Sequence, residues 1–282
     1  MFKTILLGTD GSPGAESATR YAVWLAQRFS AHLVALHITD IRLLEGPLLA
    51  DLAGALGTQP YPALVARVKE FQSDRANTIL TAVAQTARNQ GVACETVYQT
   101  GGLTQIFLEY ELQADLVILG QRGEHAQWHP EMLGSSVERL VRGSTKPCLM
   151  VTENFQPPKN ILIAHDGSAE STKALQLGLE LARVFQTDVT LVTGCQAETA
   201  DAAARILQDA KARAQAHGLQ PRAELVHANA ENAILHVAGE TAADLIVMGA
   251  YGHTRIREWI LGSTTSHVLR KTRSPVWLAR GL

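Results

Sequence analysis

The chain has 282 residues, 46% of them apolar and 18% charged, with a formal net charge of −2. That length exceeds one small domain and suits two of ordinary size with packed cores. The near-neutral charge gives no general pull toward nucleic acid or anionic lipid. The only three cysteines, Cys94, Cys148 and Cys195, lack metal-ligand spacing and predict reduced thiols. No stretch approaches the ~20 apolar residues of a membrane span. The opening MFKTILLGTDGS reaches Asp10 before a signal-peptide core could form. The expectation is a cytoplasmic protein with no membrane span and no nucleic-acid partner.

Taken in chain order, Ile5–Leu7 reads as a buried strand, and Ser12-Pro13 as an N-cap followed by proline at the first helical position. Ala18, Tyr21, Ala22 and Leu25 then recur at helical spacing. Strands are predicted at Leu33–Ile38, Val92–Val97, Leu116–Leu119 and Pro147–Val151, and helices at about Ala63–Asn89, Thr104–Leu112 and Ser135–Val141. Gly91 suits the end of the long helix. The same order then returns as Ile161–Ala164, Thr172–Phe185, Val189–Val192, Ala202–His217, Ala223–Val226, Ile234–Thr241, Leu245–Met248, Ser263–Leu269 and Val276–Leu278.

The return is also literal. KTILLGTDGS (Lys3–Ser12) reappears as KNILIAHDGS (Lys159–Ser168), and ADLVILGQRG (Ala114–Gly123) as ADLIVMGAYG (Ala243–Gly252). Asp10 and Asp166 lie 156 residues apart, whereas Gly120 and Gly249 lie 129 apart, so the first copy carries about 27 extra residues. The expected domains are 1–153 and 159–282, with a helical insertion at about 41–72 and a Pro157-Pro158 linker over 154–158. Strands alternating with helices, several of them continuously apolar, call for an α/β fold with a parallel sheet covered on both faces.

Such sheets bind ligands beyond the carboxyl ends of their strands, where strand order reverses. Asp10 and Asp166 fall there, as do the glycine loops after Leu119 and Met248. In Ala243–Leu269 a strand leads through Gly249 and Gly252 to Gly262 and a new helix. Glycine lets backbone approach a ligand, and free N–H groups of a first helical turn favour an anion. Ser263 and Thr264 stand where a hydroxyl caps the helix or meets a phosphate oxygen, and Arg255 and Arg257 add positive charge. The same residues also serve ordinary turn and cap chemistry, and either aspartate suits an Asx-turn holding the following Gly-Ser.

These residues resemble the universal stress proteins in their tandem-domain form. That family's fingerprint is G-x2-G-x9-G-[ST] after the fourth strand, with an aspartate closing the first. The second copy fits it through Gly249, Gly252, nine residues and Gly262-Ser263. The first has Gly120 and Gly123, but ten residues, Glu124–Leu133, before Gly134-Ser135. The resemblance implies two Rossmann-like domains, each a five-stranded parallel sheet of order 3-2-1-4-5 with helices on both faces. It also implies pairing of the two copies through their last strands, and an adenine nucleotide (ATP, ADP or AMP, with or without Mg²⁺) as ligand. In ATP-binding members the first-strand aspartate and a residue ending strand two hold the adenine: here Asp10 with Ile38, and Asp166 with Gly194. The glycine loop and following hydroxyls hold ribose and phosphates: Gly120, Gly123, Gly134, Ser135 and Ser136, and Gly249, Gly252, Gly262, Ser263 and Thr264, with Arg255 nearby. The longer first loop, with Glu124 and Glu131 opposed only by Arg122, ranks the second site above the first.

Three functions stay open: a nucleotide-binding module with a regulatory protein partner, a slow ATPase or phosphoryl-transfer enzyme, and a scaffold with degenerate sites. No G-x-x-x-x-G-K-[ST] or G-x-S-x-G motif occurs, and no evident base faces a γ-phosphate. No catalytic residue or metal ligand is assigned. His125 and His129 stand four apart beside Pro130, which opposes a helix, so they read as loop histidines. Trp128, Trp259, His165 and His253 read as loop-lining or packing side chains. The leucines at 43, 44, 48, 49, 52 and 56 suit a lid, an extra helix or a homodimer surface.

Overall fold

The computed structural model describes residues 2–40, 61–123, 134–250 and 261–280; the side chains of 61–64 and of Ser135 are outside that description. In the first domain β1 (Thr4–Gly8), α1 (Pro13–Phe29), β2 (His32–Asp40), α2 (Tyr61–Asn89), β3 (Cys94–Gly101), α3 (Leu103–Glu111), β4 (Leu116–Gly120), α4 (Ser135–Gly143) and β5 (Cys148–Val151) follow in order. The second repeats the plan: β6 (Asn160–Ala164), α5 (Ala169–Phe185), β7 (Asp188–Gly194), α6 (Ala200–Ala216), β8 (Arg222–Val226), α7 (Ala230–Glu240), β9 (Leu245–Gly249), α8 (Ser263–Lys271) and β10 (Val276–Ala279). A short 3-10 turn, Ala197–Thr199, precedes α6.

All ten strands form one sheet, in the order β3-β2-β1-β4-β5-β10-β9-β6-β7-β8. Each half has the order 3-2-1-4-5 about its own first strand, and every pairing is parallel except that of β5 with β10. That antiparallel pair sets Met150 opposite Val276 and Cys148 opposite Leu278, so the copies join through their last strands. Central strands such as β4 are buried throughout, as continuously apolar runs require between two helical layers.

One core lies beneath α1, α2, α5 and α6, and another beneath α3, α4, α7 and α8. Aromatic rings close the seam on the first side. Phe2 stacks on Trp277 at 5.7 Å between centroids, Trp24 meets Phe185 at 4.7 Å, and Tyr21 meets Phe155 at 4.7 Å. Among the described residues no helix is long and apolar enough to cross a membrane.

The differences from the sequence expectation have local causes. Strand β3 runs on to Gly101 because Tyr98–Gly101 pair with His37–Asp40, although the segment is polar and only partly buried. Helix α7 starts at Ala230, four residues early, because the Asn229 side chain accepts a hydrogen bond from Asn232 N and caps it. Of the predicted insertion, 61–72 belongs to α2; the leucines at 43–56 lie outside the described residues.

Candidate functional site

The Asp-Gly-Ser turns are built alike in both copies. Asp10 Oδ1 accepts from Ser12 N at 3.0 Å, and Asp166 Oδ1 from Ser168 N at 3.0 Å. The glycine between takes φ of 77° at Gly11 and 80° at Gly167, where a side chain would strain the backbone. Each serine hydroxyl then caps the next helix, accepting from Ala15 N or Ser171 N at 3.2 Å. The Asx-turn thus exists, and it fixes each carboxylate at the carboxyl edge of the sheet.

Two crevices follow, one per copy. The first, about 100 Å³, is lined by Asp10, Ile38, Gly120, Gly123 and Ser136, with apolar walls from Leu36, Leu103, Phe107, Leu119 and Val137. A Cβ on Gly123 would stand 2.9 Å from Asp10 Oδ2, so that glycine keeps the aspartate's edge open. The second, about 80 Å³, is lined by Asp166, Gly194, Gly249 and Thr264 between Ala164, Val192, Ile234 and Met248. In each, the first-strand aspartate, the end of the second strand and the start of the glycine loop face one space, where β1 neighbours β4 and β6 neighbours β9.

Other anticipated residues stand elsewhere. Gly134 N donates to Gln121 O at 3.3 Å, closing the loop's return, and Gly262 N reaches Ala250 O at 3.4 Å. Neither Ser263 nor Thr264 caps α8. The N-cap is Gly262, with no side-chain bond, and Thr264 Oγ1 donates to Glu231 Oε2 at 3.3 Å. A helix that begins directly after glycine already has its hydroxyl residues inside the first turn, past the capping position. Gly252, Arg255, Arg257, His253 and Trp259 lie outside the described residues, as do Glu124, His125, Trp128, His129 and Glu131.

Further side chains, most of them not singled out by the sequence, support the site and the sheet. Thr265 is buried, and its hydroxyl bridges the carbonyls of Gly249 and Ala250 at 3.2 Å, tying α8 to the loop. Histidine and threonine trade places between copies. His37 Nδ1 donates to Thr9 O at 2.8 Å in the first, whereas Thr193 Oγ1 donates to His165 O at 2.7 Å in the second. His165 Nδ1 pairs with Ser171 Oγ at 3.1 Å inside the second crevice. The repeated aspartate before the fourth strand is structural: Asp115 Oδ2 accepts from Lys3 N and Thr4 N, and Asp244 Oδ2 from Lys159 N and Asn160 N. The literal repetition of Ala-Asp-Leu was the available signal.

Burial pushes the His165 pKa below its ordinary 6.5, opposed by the bond to Ser171 and the nearby Asp166. The unfolded chain therefore holds more protons at this residue between the folded value and 6.5. The stabilisation is present above pH 6.5 and is lost as pH falls through the folded pKa. Stability measured by urea unfolding is expected to decline from pH 7 to pH 5 in the native protein and to decline less in His165→Gln. Equal slopes would contradict this assignment.

Comparison with known proteins bears on the family and the fold. The profile of the Universal stress protein family matches twice, at residues 1–152 and 158–280. The chain is 33% identical over 282 residues to universal stress protein Slr1230 of Synechocystis, covering 97% of this chain and 98% of that one. Universal stress protein YxiE of Bacillus subtilis is 31% identical over 146 residues, 43% of this chain and 97% of its own length. A crystal structure of a universal stress protein from Archaeoglobus fulgidus superposes with a TM-score of 0.75 over 98% of each chain at 20% identity, a likeness of fold. The chain is therefore a member of the universal stress protein family with two tandem domains.

Proposed function

We infer that the protein binds an adenine nucleotide at the carboxyl edge of each domain's sheet and acts as a regulatory binding module. The observation that carries this is the duplicated crevice: an aspartate locked by its own turn, apolar walls, and the first glycine of a loop, all at the point where strand order reverses. The described walls bound 100 and 80 Å³, below the ~300 Å³ of a complete small-molecule site, and fit the base end of a nucleotide. Asp10 with Ile38, and Asp166 with Gly194, would hold the purine. The N-terminal amides of α4 and α8 would face phosphate oxygens.

Phosphates bring negative charge to be met by N–H groups, and Mg²⁺ would offset more of it when ATP is the ligand. Glu231, already bonded to Thr264, opposes that charge at the second site. The second site nevertheless ranks first in this reading, on its nine-residue loop and Arg255 and Arg257. Mass spectrometry of the denatured, freshly purified protein tests occupancy, with loop variants testing the ranking. Gly262→Asp is expected to remove most bound nucleotide and Gly134→Asp less. Equal losses would reverse the ranking.

A further inference from the structure

A cavity of about 380 Å³ opens where the two domains meet, several times the space bounded within either crevice. Its walls come from the carboxyl ends of β4 and β5, the middle of α1, the turn before β9 and the turn before β10. The internal repeat explains why it is open. Val151 and Ala279 end equivalent strands, so Thr152 is the counterpart of Arg280. Arg280 crosses the junction and donates to the carbonyls of Val141 and Ser144 at the end of α4. Thr152 is too short to make the matching reach, and the space beside it stays unfilled.

The polar groups around this space are of two kinds. Those on its floor are committed to the protein. Asp244 accepts from Gln156 Nε2 at 3.0 Å, Lys159 N at 2.9 Å and Asn160 N at 3.1 Å. The Tyr21 hydroxyl donates to Gln156 O and accepts from Gln156 N. Arg122 and Arg273, by contrast, make no hydrogen bond or ion pair among the described residues. Glu153 is an exposed carboxylate on the rim and lies in no ion pair with either arginine among the described residues. The charged donors lining the cavity are thus two planar guanidinium forks, one from each domain, beside the side chains of Thr152 and Asn154, and such forks match the paired oxygens of a carboxylate or phosphate.

We propose that this junction cavity is a ligand site for a small metabolite bearing a phosphate or carboxylate group, gripped jointly by Arg122 of the first domain and Arg273 of the second. Its volume falls within the ~300–1,000 Å³ of small-molecule sites, so the anionic group brings an organic body with it. Arg273 lines neither crevice. Arg122 also lines the first crevice, so Arg273 is the residue that isolates the junction.

The test titrates the full ¹⁵N-labelled chain with sodium phosphate or sodium malonate at fixed ionic strength, with sodium chloride as control. Expected are saturable amide shifts at Gln121–Arg122 and at Thr272–Ser274, with apparent affinity falling tenfold or more in Arg273→Gln and partly restored in Arg273→Lys. Arg273 is exposed, and its variants are checked for unchanged spectra elsewhere in the fold. The stronger of the two probes identifies the anionic group. Shifts confined to residues of the two crevices and unchanged in Arg273→Gln, or no saturable shifts with either probe, would overturn the proposal.

Discussion

Gly120→Ala is expected to destabilise the first domain by about 3 kcal/mol, the upper range for forcing atoms into a packed interior, whereas Gly249→Ala costs the second about 1 kcal/mol. A Cβ on Gly120 would lie 2.7 Å from the Gly14 carbonyl carbon, 2.9 Å from its oxygen and 3.1 Å from Ala15 N. All three are backbone atoms of the first turn of α1, so no side chain can swing aside. The fit is mutual, since a Cβ on Gly14 would meet Arg122 O at 2.6 Å. In the second copy Glu170 replaces Gly14, and α5 stands farther off. A Cβ on Gly249 would meet Glu170 C and Cβ at 3.1 Å, contacts that small shifts relieve. The first glycine of the loop is therefore demanded by helix-on-strand packing before any ligand arrives. Hydrogen exchange of β1 and β4 against β6 and β9 in the two variants reads each domain separately. A loss at Gly120→Ala no larger than at Gly249→Ala would contradict the packing argument.

The second large effect lies at the seam. Arg280 is 3% exposed, yet it belongs to the second domain and serves the first. Its guanidinium supplies N–H groups to the carbonyls of Val141 and Ser144, which α4 leaves without helical partners at its C-terminus. Nearby, the buried Glu111 accepts from Thr145 N at 2.7 Å, Thr145 Oγ1 at 3.1 Å and Lys146 N at 3.3 Å, fixing the same turn from below. Burial pushes the Cys148 thiol up to about 11, a shift that Arg280 opposes and Glu111 reinforces, so this pocket holds its sulfur as an inert packing group. Arg280→Met keeps the stem and removes the charged donors. The expected cost is about 3 kcal/mol, from two bonds to a charged group and the loss of a cation beside buried polar groups. Urea unfolding followed by Trp fluorescence, with Trp277 on β10 just before Arg280, should show a lower midpoint than in the native chain. An unchanged midpoint would show that the bridge contributes nothing.

Much of this fold was legible because its signals are local. Apolar runs such as Leu116–Leu119 have no stable place except a sheet covered on both faces, and the two copies of the Asp-Gly-Ser turn mark the edge where both crevices open. What escaped was non-local. The polar end of β3 is a strand only because β2 runs beside it. Thr265 is by pattern one hydroxyl among several at the start of a helix, but it is buried and ties α8 to the loop. Arg280 sits near the end of the chain with nothing in its neighbours to mark it, and its partners are 136 and 139 residues away. Nor could spacing tell that Asp115 and Asp244 pin the starts of β1 and β6 rather than meet a ligand.

The central claim is most directly tested by calorimetric titration of the full chain with AMP and ATP, alongside Asp10→Asn and Asp166→Asn. Asparagine keeps the Oδ1 that accepts from Ser12 N or Ser168 N, so the turns survive while the carboxylate facing the crevice is lost. The predicted result is saturable adenine-nucleotide binding that falls about tenfold, ~1.4 kcal/mol, in Asp166→Asn with no change in thermal stability. Absence of saturable binding in the native chain, or binding undiminished when both aspartates are replaced, would contradict it.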